Sequence, residues 1–349
     1  MNKLFIIIIT IALLASCSTS TEPTLSKKGN EPIIVRTPWG QEVVPDLWTY
    51  LDMTIYDKLD TSLSWSDGDQ IREELITSYE RGTLELRKHP WRIMDDIYVL
   101  GEDAESQLIY LIDTGEGLLL IDPSYDSWHE VLLSQIRQLG YSPTQVKWVL
   151  ITHCHVDHAQ SCHLWRKNGA QIIAPLHDAH SIETGNQVTA FWLMDGEERY
   201  FNRCPVDRVV HDGDRLDFGR MTFYAIWTPG HTPGSTCYLL KHNNKQILFS
   251  EDIALHNGRH AWMDDPYADW DQYLKSLEKL ESFLLNGEPV QYDLMLPGHG
   301  VVELEGAMRS VKETTKLVRH IVDRRKKGET ITWIKPYQWN WENKVIYKK

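Results

Sequence analysis

The sequence predicts an α/β protein in which two sheets pack face to face with helices on their outer sides. Three observations point there. Strand-like runs come first, at 97–100 (IYVL), 107–113 (QLIYLID) and 118–122 (LLLID). Helix and strand signals then alternate, a pattern that lays helices over sheets. With 349 residues, 42% of them hydrophobic, the chain is also long enough to bury a large core.

Taken in order, residues 1–16 hold a basic start at Lys3 and an apolar run from Leu4 to Leu14. That run is short for a bilayer span and reads as a secretory signal. It ends in Leu14-Ala15-Ser16-Cys17, which resembles a bacterial lipobox and implies a lipid anchor at Cys17. The expected location is therefore the bacterial cell envelope, lipid-anchored and facing the periplasm or outer membrane. Residues 17–32 are rich in Ser, Thr, Pro and Lys and read as a flexible spacer. Residues 33–90 carry Trp39, Trp48 and Trp65 and a helix signal over about 70–81, an N-terminal extension expected to pack on the core.

The main domain is expected over 91–327. After the opening strands, 127–139 is amphipathic with Gly140 placed to end a helix. VKWVLIT then reads as a buried strand, AQSCHLWRKNG as a helix and AQIIA as a strand. In the second half MTFYAIWT, STCYLL, QILFS and DLMLP read as strands, and WDQYLKSLEKLESFLL as a helix of period near 3.6. The stretch 328–349 is an aromatic, basic tail whose Trp333, Trp339 and Trp341 suit the covering of apolar surface.

Charge narrows the function. With 49 acidic and 36 basic residues the net charge is −13, a field that repels phosphate backbones, so nucleic acid is not an expected partner. Beyond Cys17 the cysteines are Cys154, Cys162, Cys204 and Cys237, whose irregular spacing fits free buried thiols as readily as two bridges.

The chemistry concentrates in His153-Cys154-His155-Val156-Asp157-His158, between a strand and a helix. Neutral imidazoles and carboxylates are ligands for zinc. Residues two apart, such as His153 and His155, can converge on one cation while Asp157 and His158 turn toward a second. Neither site is complete with these alone. His231 follows MTFYAIWT, Asp252 follows QILFS and His299 follows DLML, each a ligand-type side chain just beyond a strand. All three can gather at one edge of the sheets.

These seven positions, in this order, resemble the pattern of the metallo-β-lactamase fold superfamily: His-x-His-x-Asp-His, a histidine after Pro-Gly, an aspartate after a strand, and a second Pro-Gly-His. The resemblance covers roughly residues 91–325. It implies a four-layer αβ/βα sandwich and two Zn2+ ions per chain. His153, His155 and His231 would hold one metal, Asp157, His158 and His299 the other, and Asp252 would bridge them. It further implies a hydrolase in which a zinc-bridging hydroxide attacks a small-molecule carbonyl substrate, an ester, thioester or lactone, with Asp157 orienting the nucleophile and passing its proton on. Two positions depart from the usual pattern: Ala159-Gln160-Ser161 stands where glycines often follow the motif, and Glu251 where a glycine often precedes the bridging aspartate.

Other family members suggest alternatives: a mononuclear-iron persulfide dioxygenase using the positions of His153, His231 and Asp252, or a β-lactamase acting in the periplasm. Near Asp252, the loop LHNGRHAWMDDPYADW offers His256, His260 and Tyr267 as candidate substrate contacts. His163, His177 and His180 fall on expected helices, where surface or supporting roles outweigh ligation.

Overall fold

The computed structural model describes residues 90–101, 107–194, 199–255, 258–263, 265–299 and 302–328, together with the backbone of 33–37 and 40–44. The signal and spacer, the helix expected at 70–81, His256 and the tail beyond 328 lie outside the described residues. Among the described residues no helix is long and apolar enough to cross a membrane.

One sheet has seven strands in sequential order: β3 (Trp91–Met94), β4 (Ile97–Leu100), β5 (Ile109–Asp113), β6 (Leu118–Ile121), β7 (Val146–Leu150), β8 (Gln171–Pro175) and β9 (Arg208–Val210). The second has eight. It contains β1 (Ile33–Thr37), β2 (Gly40–Val44), β10 (Arg215–Phe218), β11 (Met221–Trp227), β12 (Thr236–His242), β13 (Lys245–Glu251), β16 (Leu294–Pro297) and β17 (Val302–Glu303). Their order is β1-β2-β17-β16-β13-β12-β11-β10, so the hairpin β1-β2 forms the edge beside β17. A separate two-stranded ribbon joins β14 (Leu284–Leu285) and β15 (Glu288–Pro289).

Helices α1 (His129–Gln138), α2 (Val156–Ala159), α3 (Cys162–Lys167) and α4 (Leu176–Thr184) belong to the first half, and α5 (Trp270–Glu281) and α6 (Ala307–Lys326) to the second. The α5 helix is shorter than its apolar period suggests. Asn286 and Gly287 both take positive φ, 56° and 83°, and this Asn-Gly turn pulls Leu284 and Leu285 into the ribbon.

The central strands are apolar throughout because both faces are covered. Along β5, Ile109 and Leu111 face one apolar layer, Tyr110 and Ile112 another. Along β12, Tyr238 and Leu240 enter the same middle layer, and Cys237 and Leu239 an outer one. The middle layer takes residues from both sheets, such as Ile121, Leu150, Phe223 and Phe249. One outer layer packs Leu132, Ile136 and Trp165 on the first sheet; the other packs Tyr273, Leu277 and Val318 on the second. Three apolar layers between four structural layers make the αβ/βα sandwich.

The strands that matter run the same way within each sheet. β6 and β7 are parallel, as are β13 and β16, and β11 is related to β13 by two antiparallel pairings. Their C-terminal ends therefore meet at one edge. Cross-sheet hydrogen bonds close that edge: Tyr238 Oη donates to Ile151 O (2.8 Å), Tyr110 Oη to Pro297 O (2.7 Å), and the Thr236 N–H to Thr152 O (3.0 Å).

Candidate metal centre

His153 and His155 lie in the loop that leaves β7, and His231 in the loop that leaves β11. One ring nitrogen from each lies within 4.8 Å of the others, and all three residues are buried. Their Nε2 atoms have no hydrogen-bond partner. An unsatisfied buried polar atom costs roughly 1–3 kcal/mol. Three such buried atoms in one cluster are a donor set that a cation would fit, and its binding would offset that cost.

Asp157, His158 and His299 form a second cluster by the same 4.8 Å criterion. His299 Nε2 is 3.1 Å from Asp157 Oδ2 and 3.2 Å from His158 Nε2. Asp157 and His299 remain 22% and 24% exposed, whereas the side chains of His153 and His158 are fully buried. The centre therefore opens toward solvent on the side of Asp157 and His299. Between the clusters stands Asp252, whose Oδ2 is 3.5 Å from His231 Nε2, 3.5 Å from His299 Nε2 and 3.7 Å from His158 Nε2. One carboxylate oxygen thus faces nitrogens of both groups. All seven positions read from the sequence meet here.

Outer partners turn the rings. His158 Nδ1 is 3.0 Å from Asp122 Oδ2, His231 Nδ1 is 3.0 Å from Trp262 O, and His153 Nδ1 is 3.1 Å from Thr152 Oγ1; Glu251 Oε2 lies 3.0 Å from His153 Nδ1 without forming a hydrogen bond. Fixing Nδ1 leaves Nε2 free to ligate. Asp122 also accepts from the Thr152 N–H (2.8 Å) and Thr152 Oγ1 (2.6 Å). Asp122, Ser124 and Glu251 are held at positive φ, 53°, 65° and 44°. Such conformations in non-glycine residues cost of order 1–3 kcal/mol each and gather at functional sites.

Electrostatics divides the clusters. Burial pulls the imidazole pKa values down, well below the usual range for His153, to about 4 for His155 and to about 3 for His231. These rings are neutral at pH 7. Burial also disfavours charge on His158 and His299, but the carboxylates of Asp157 and Asp252 outweigh it, raising His158 and pushing His299 up to about 9. Burial alone would raise Asp157; His158 and His299 hold it well below the carboxylate range. A cation entering the second cluster must displace protons, and one entering the first need not.

Imidazole nitrogens and carboxylate oxygens without sulfur are a donor set that fits a divalent metal. Residues 103–284, just over half of the chain, match the family model described as the metallo-beta-lactamase superfamily. The chain belongs to this superfamily. The match and the histidine-aspartate cluster make it a metallo-beta-lactamase superfamily hydrolase.

Relatives within the superfamily include an atrochrysone carboxyl ACP thioesterase of Aspergillus fumigatus, 25% identical over 66% of this chain and 56% of its own. The acyl-coenzyme A thioesterase MBLAC2 of Bos taurus is 28% identical over 59% of this chain and 76% of its own. A hydroxyacylglutathione hydrolase of Maricaulis maris is 31% identical over 44% and 49%. The chain thus spans only about half the length of the first and third. Among solved structures, the subclass B3 metallo-beta-lactamase of Bradyrhizobium japonicum aligns with a TM-score of 0.54 at 24% identity over 68% of this chain and 94% of its own. The enzyme of Legionella gormanii aligns at 0.56 and 24% over 69% and 97%. At that identity these two show the shared fold alone.

Neither cluster includes the other candidates. His260 is buried, with its ring edge-on to Trp270 at 5.1 Å and burial pulling its pKa down to about 4. Tyr267 is 42% exposed, and its N–H donates to Asp265 Oδ1 (2.6 Å). His163 pairs with Asp126 (2.9 Å), and His177 packs on Trp227 at 4.8 Å. All four cysteines beyond Cys17 are free and buried.

Sequence reasoning missed Asp122 and Gln107. Asp122 stands just beyond β6, so the strand-end rule that found Asp252 applies to it equally. Gln107 accepts from Ser124 Oγ (2.7 Å) and donates through Nε2 to Asp157 O, tying the second cluster to β5. Its only signal is a polar residue opening an apolar strand.

Proposed function

We propose that the protein is a dinuclear zinc hydrolase of acyl thioesters. The observation that carries the metal reading is the position of Asp252 Oδ2, 3.5 Å from His231 Nε2 and 3.5 Å from His299 Nε2, between three orphaned imidazoles and an open Asp157-His158-His299 cluster. Two cations about 3.5–4 Å apart need such a shared carboxylate to offset their repulsion. The thioester class is supported by the relatives named atrochrysone carboxyl ACP thioesterase and acyl-coenzyme A thioesterase.

His153, His155 and His231 would hold one zinc, and Asp157, His158 and His299 the other, with Asp252 between. Bound zinc supplies a Lewis acid that polarises a carbonyl and lowers the pKa of water to about 7. The chain's own part is positional. Asp157, the more exposed of the two site carboxylates, faces the open side and holds a proton in transit to the leaving thiol. Asp122 and the Trp262 carbonyl keep the rings of His158 and His231 from turning. The strand-end loops bury the inner triad, so water reaches the centre from the Asp157 side.

Membrane tethering through Cys17 in the cell envelope remains part of this proposal and rests on Leu14-Ala15-Ser16-Cys17 alone. The test is metal analysis of the protein from unsupplemented medium, followed by thiol release from acyl thioesters of graded chain length. Two zinc ions per chain and metal-dependent thiol release support the proposal. A single iron, or hydrolysis confined to lactones or β-lactams, overturns it.

A further inference from the structure

The inner triad draws its ligands from two different sheets. His153 and His155 ride on the loop after β7, and His231 rides on the loop after β11. A cation focus survives only if those loops hold their separation to about half an ångström. The strand ends are joined at their base, where the Thr236 N–H donates to Thr152 O. Something must also hold the loop tips.

The side chain that spans them is Asp178, in the first turn of α4 and fully buried. Its Oδ2 accepts from the N–H of Cys154 (2.8 Å), the residue between the two ligands His153 and His155. The same oxygen accepts from Thr232 Oγ1 (2.7 Å), next to His231, and Oδ1 accepts from the Gly234 N–H (2.7 Å) two residues further on. A Cβ on Gly234 would lie 2.4 Å from Asp178 Cγ, so the glycine is what lets the loop close on the carboxylate. Thr232 is clamped again by Ser235, whose Oγ is 3.0 Å from Thr232 Oγ1 and accepts from the Thr232 N–H (3.1 Å).

We propose that Asp178 is a positioning residue for the tri-histidine metal site: its carboxylate ties the His153/His155 loop to the His231 loop and sets the spacing of their ligand nitrogens. It reaches no ligand nitrogen itself; it works through the peptide between two ligands and through the hydroxyl beside the third. A residue buried only for packing would not need three donors from two loops. A buried carboxylate that accepts three hydrogen bonds, two of them from backbone N–H groups, is also strongly directional, so its removal loosens both loops at once. The proposal rests on His153, His155 and His231 being metal ligands.

The experiment strips the full-length protein of metal and titrates it with cobalt(II) against a competing chelator, in wild type, Asp178→Asn and Thr232→Val. Asparagine keeps the volume but turns an NH2 toward N–H donors; valine removes a single hydroxyl and leaves the carboxylate in place. Paramagnetically shifted imidazole N–H resonances report each ligand histidine separately. The expected result is a 10–100-fold loss of affinity at the tri-histidine site in Asp178→Asn, a smaller loss in Thr232→Val, and retained affinity at the Asp157-His158-His299 site. Thermal unfolding of the stripped proteins accompanies the titration. Lower stability of the stripped variant with unchanged tri-histidine affinity overturns positioning and leaves a packing role. Wild-type protein that binds no cobalt overturns the metal centre itself, a result distinct from a wild type that loads beside variants that load equally well.

Discussion

Glu251 sets a carboxylate oxygen 3.0 Å from Nδ1 of His153, with both side chains fully buried. It does so from a left-handed backbone, φ 44°, at a position where a glycine would carry no strain. Burial, with the charge of Asp252 beside it, pushes its pKa well above the carboxylate range. The residue is costly in itself, and its proximity to the His153 ring is what it contributes. Glu251→Gly is expected to stabilise the metal-free protein by about 1–3 kcal/mol by removing a strained conformation and a buried acid. The same change is expected to weaken the tri-histidine site about tenfold. Urea unfolding of the stripped protein and chelator competition check the two halves. A stripped variant less stable than wild type would refute the strain argument.

Gly298, just before His299, is confined by the centre. A Cβ there would lie 2.3 Å from Asp252 Oδ1 and 2.8 Å from His158 Cε1. Gly298→Ala should therefore displace the carboxylate that stands between the clusters. The expected outcome is loss of at least one metal per chain and a fall in activity of more than about tenfold, the scale of a 1.4 kcal/mol loss. The three apolar layers do not involve Gly298, so far-ultraviolet circular dichroism should stay that of the wild type. Full metal content in the alanine variant would show that the centre can move aside.

Three of the seven candidate positions, His231, Asp252 and His299, follow a simple rule: a histidine or aspartate shortly beyond an apolar run. That rule works because strands buried on both faces are continuous apolar segments, and parallel strands deliver their ends to one edge. Asp122 obeys it and was legible in principle. Asp178 and Gln107 do not stand out, because one sits in a helix and the other lies two residues before a strand, and only folding brings them against the loops they hold. The same reason hid the ribbon at 284–289: a helical period ran through Leu284 and Leu285, and the Asn286-Gly287 turn overrode it.

Metal removal should leave a folded protein. None of the seven site positions belongs to the three apolar layers, which hold Trp165, Phe223, Tyr273 and their neighbours. Metal that binds only the native state stabilises it by mass action, about 2.7 kcal/mol at a free concentration one hundred times Kd. For a domain of this size that is a shift of roughly 5–10 °C in Tm. Differential scanning calorimetry before and after chelation, with zinc restored at the end, measures it. Unfolding on chelation at room temperature would mean that the centre supports the fold as well as the chemistry.

Asp157 separates ligation from proton transfer. Its Oδ2 lies 3.1 Å from His299 Nε2, its backbone carbonyl is held by Gln107, and its side chain is 22% exposed on the open face. Asparagine keeps an oxygen for the metal but cannot carry a proton. Asp157→Asn is therefore expected to lower kcat by about 10²–10⁴-fold, the range for a removed general acid or base, with a much smaller change in KM. His299→Ala removes a ligand nitrogen instead and should lose metal from the outer cluster together with kcat. Steady-state kinetics on an acyl thioester, paired with metal analysis of both variants, distinguishes the two effects. If Asp157→Asn kept its kcat while binding less metal, the carboxylate would be a ligand only, and the proton would leave by another route.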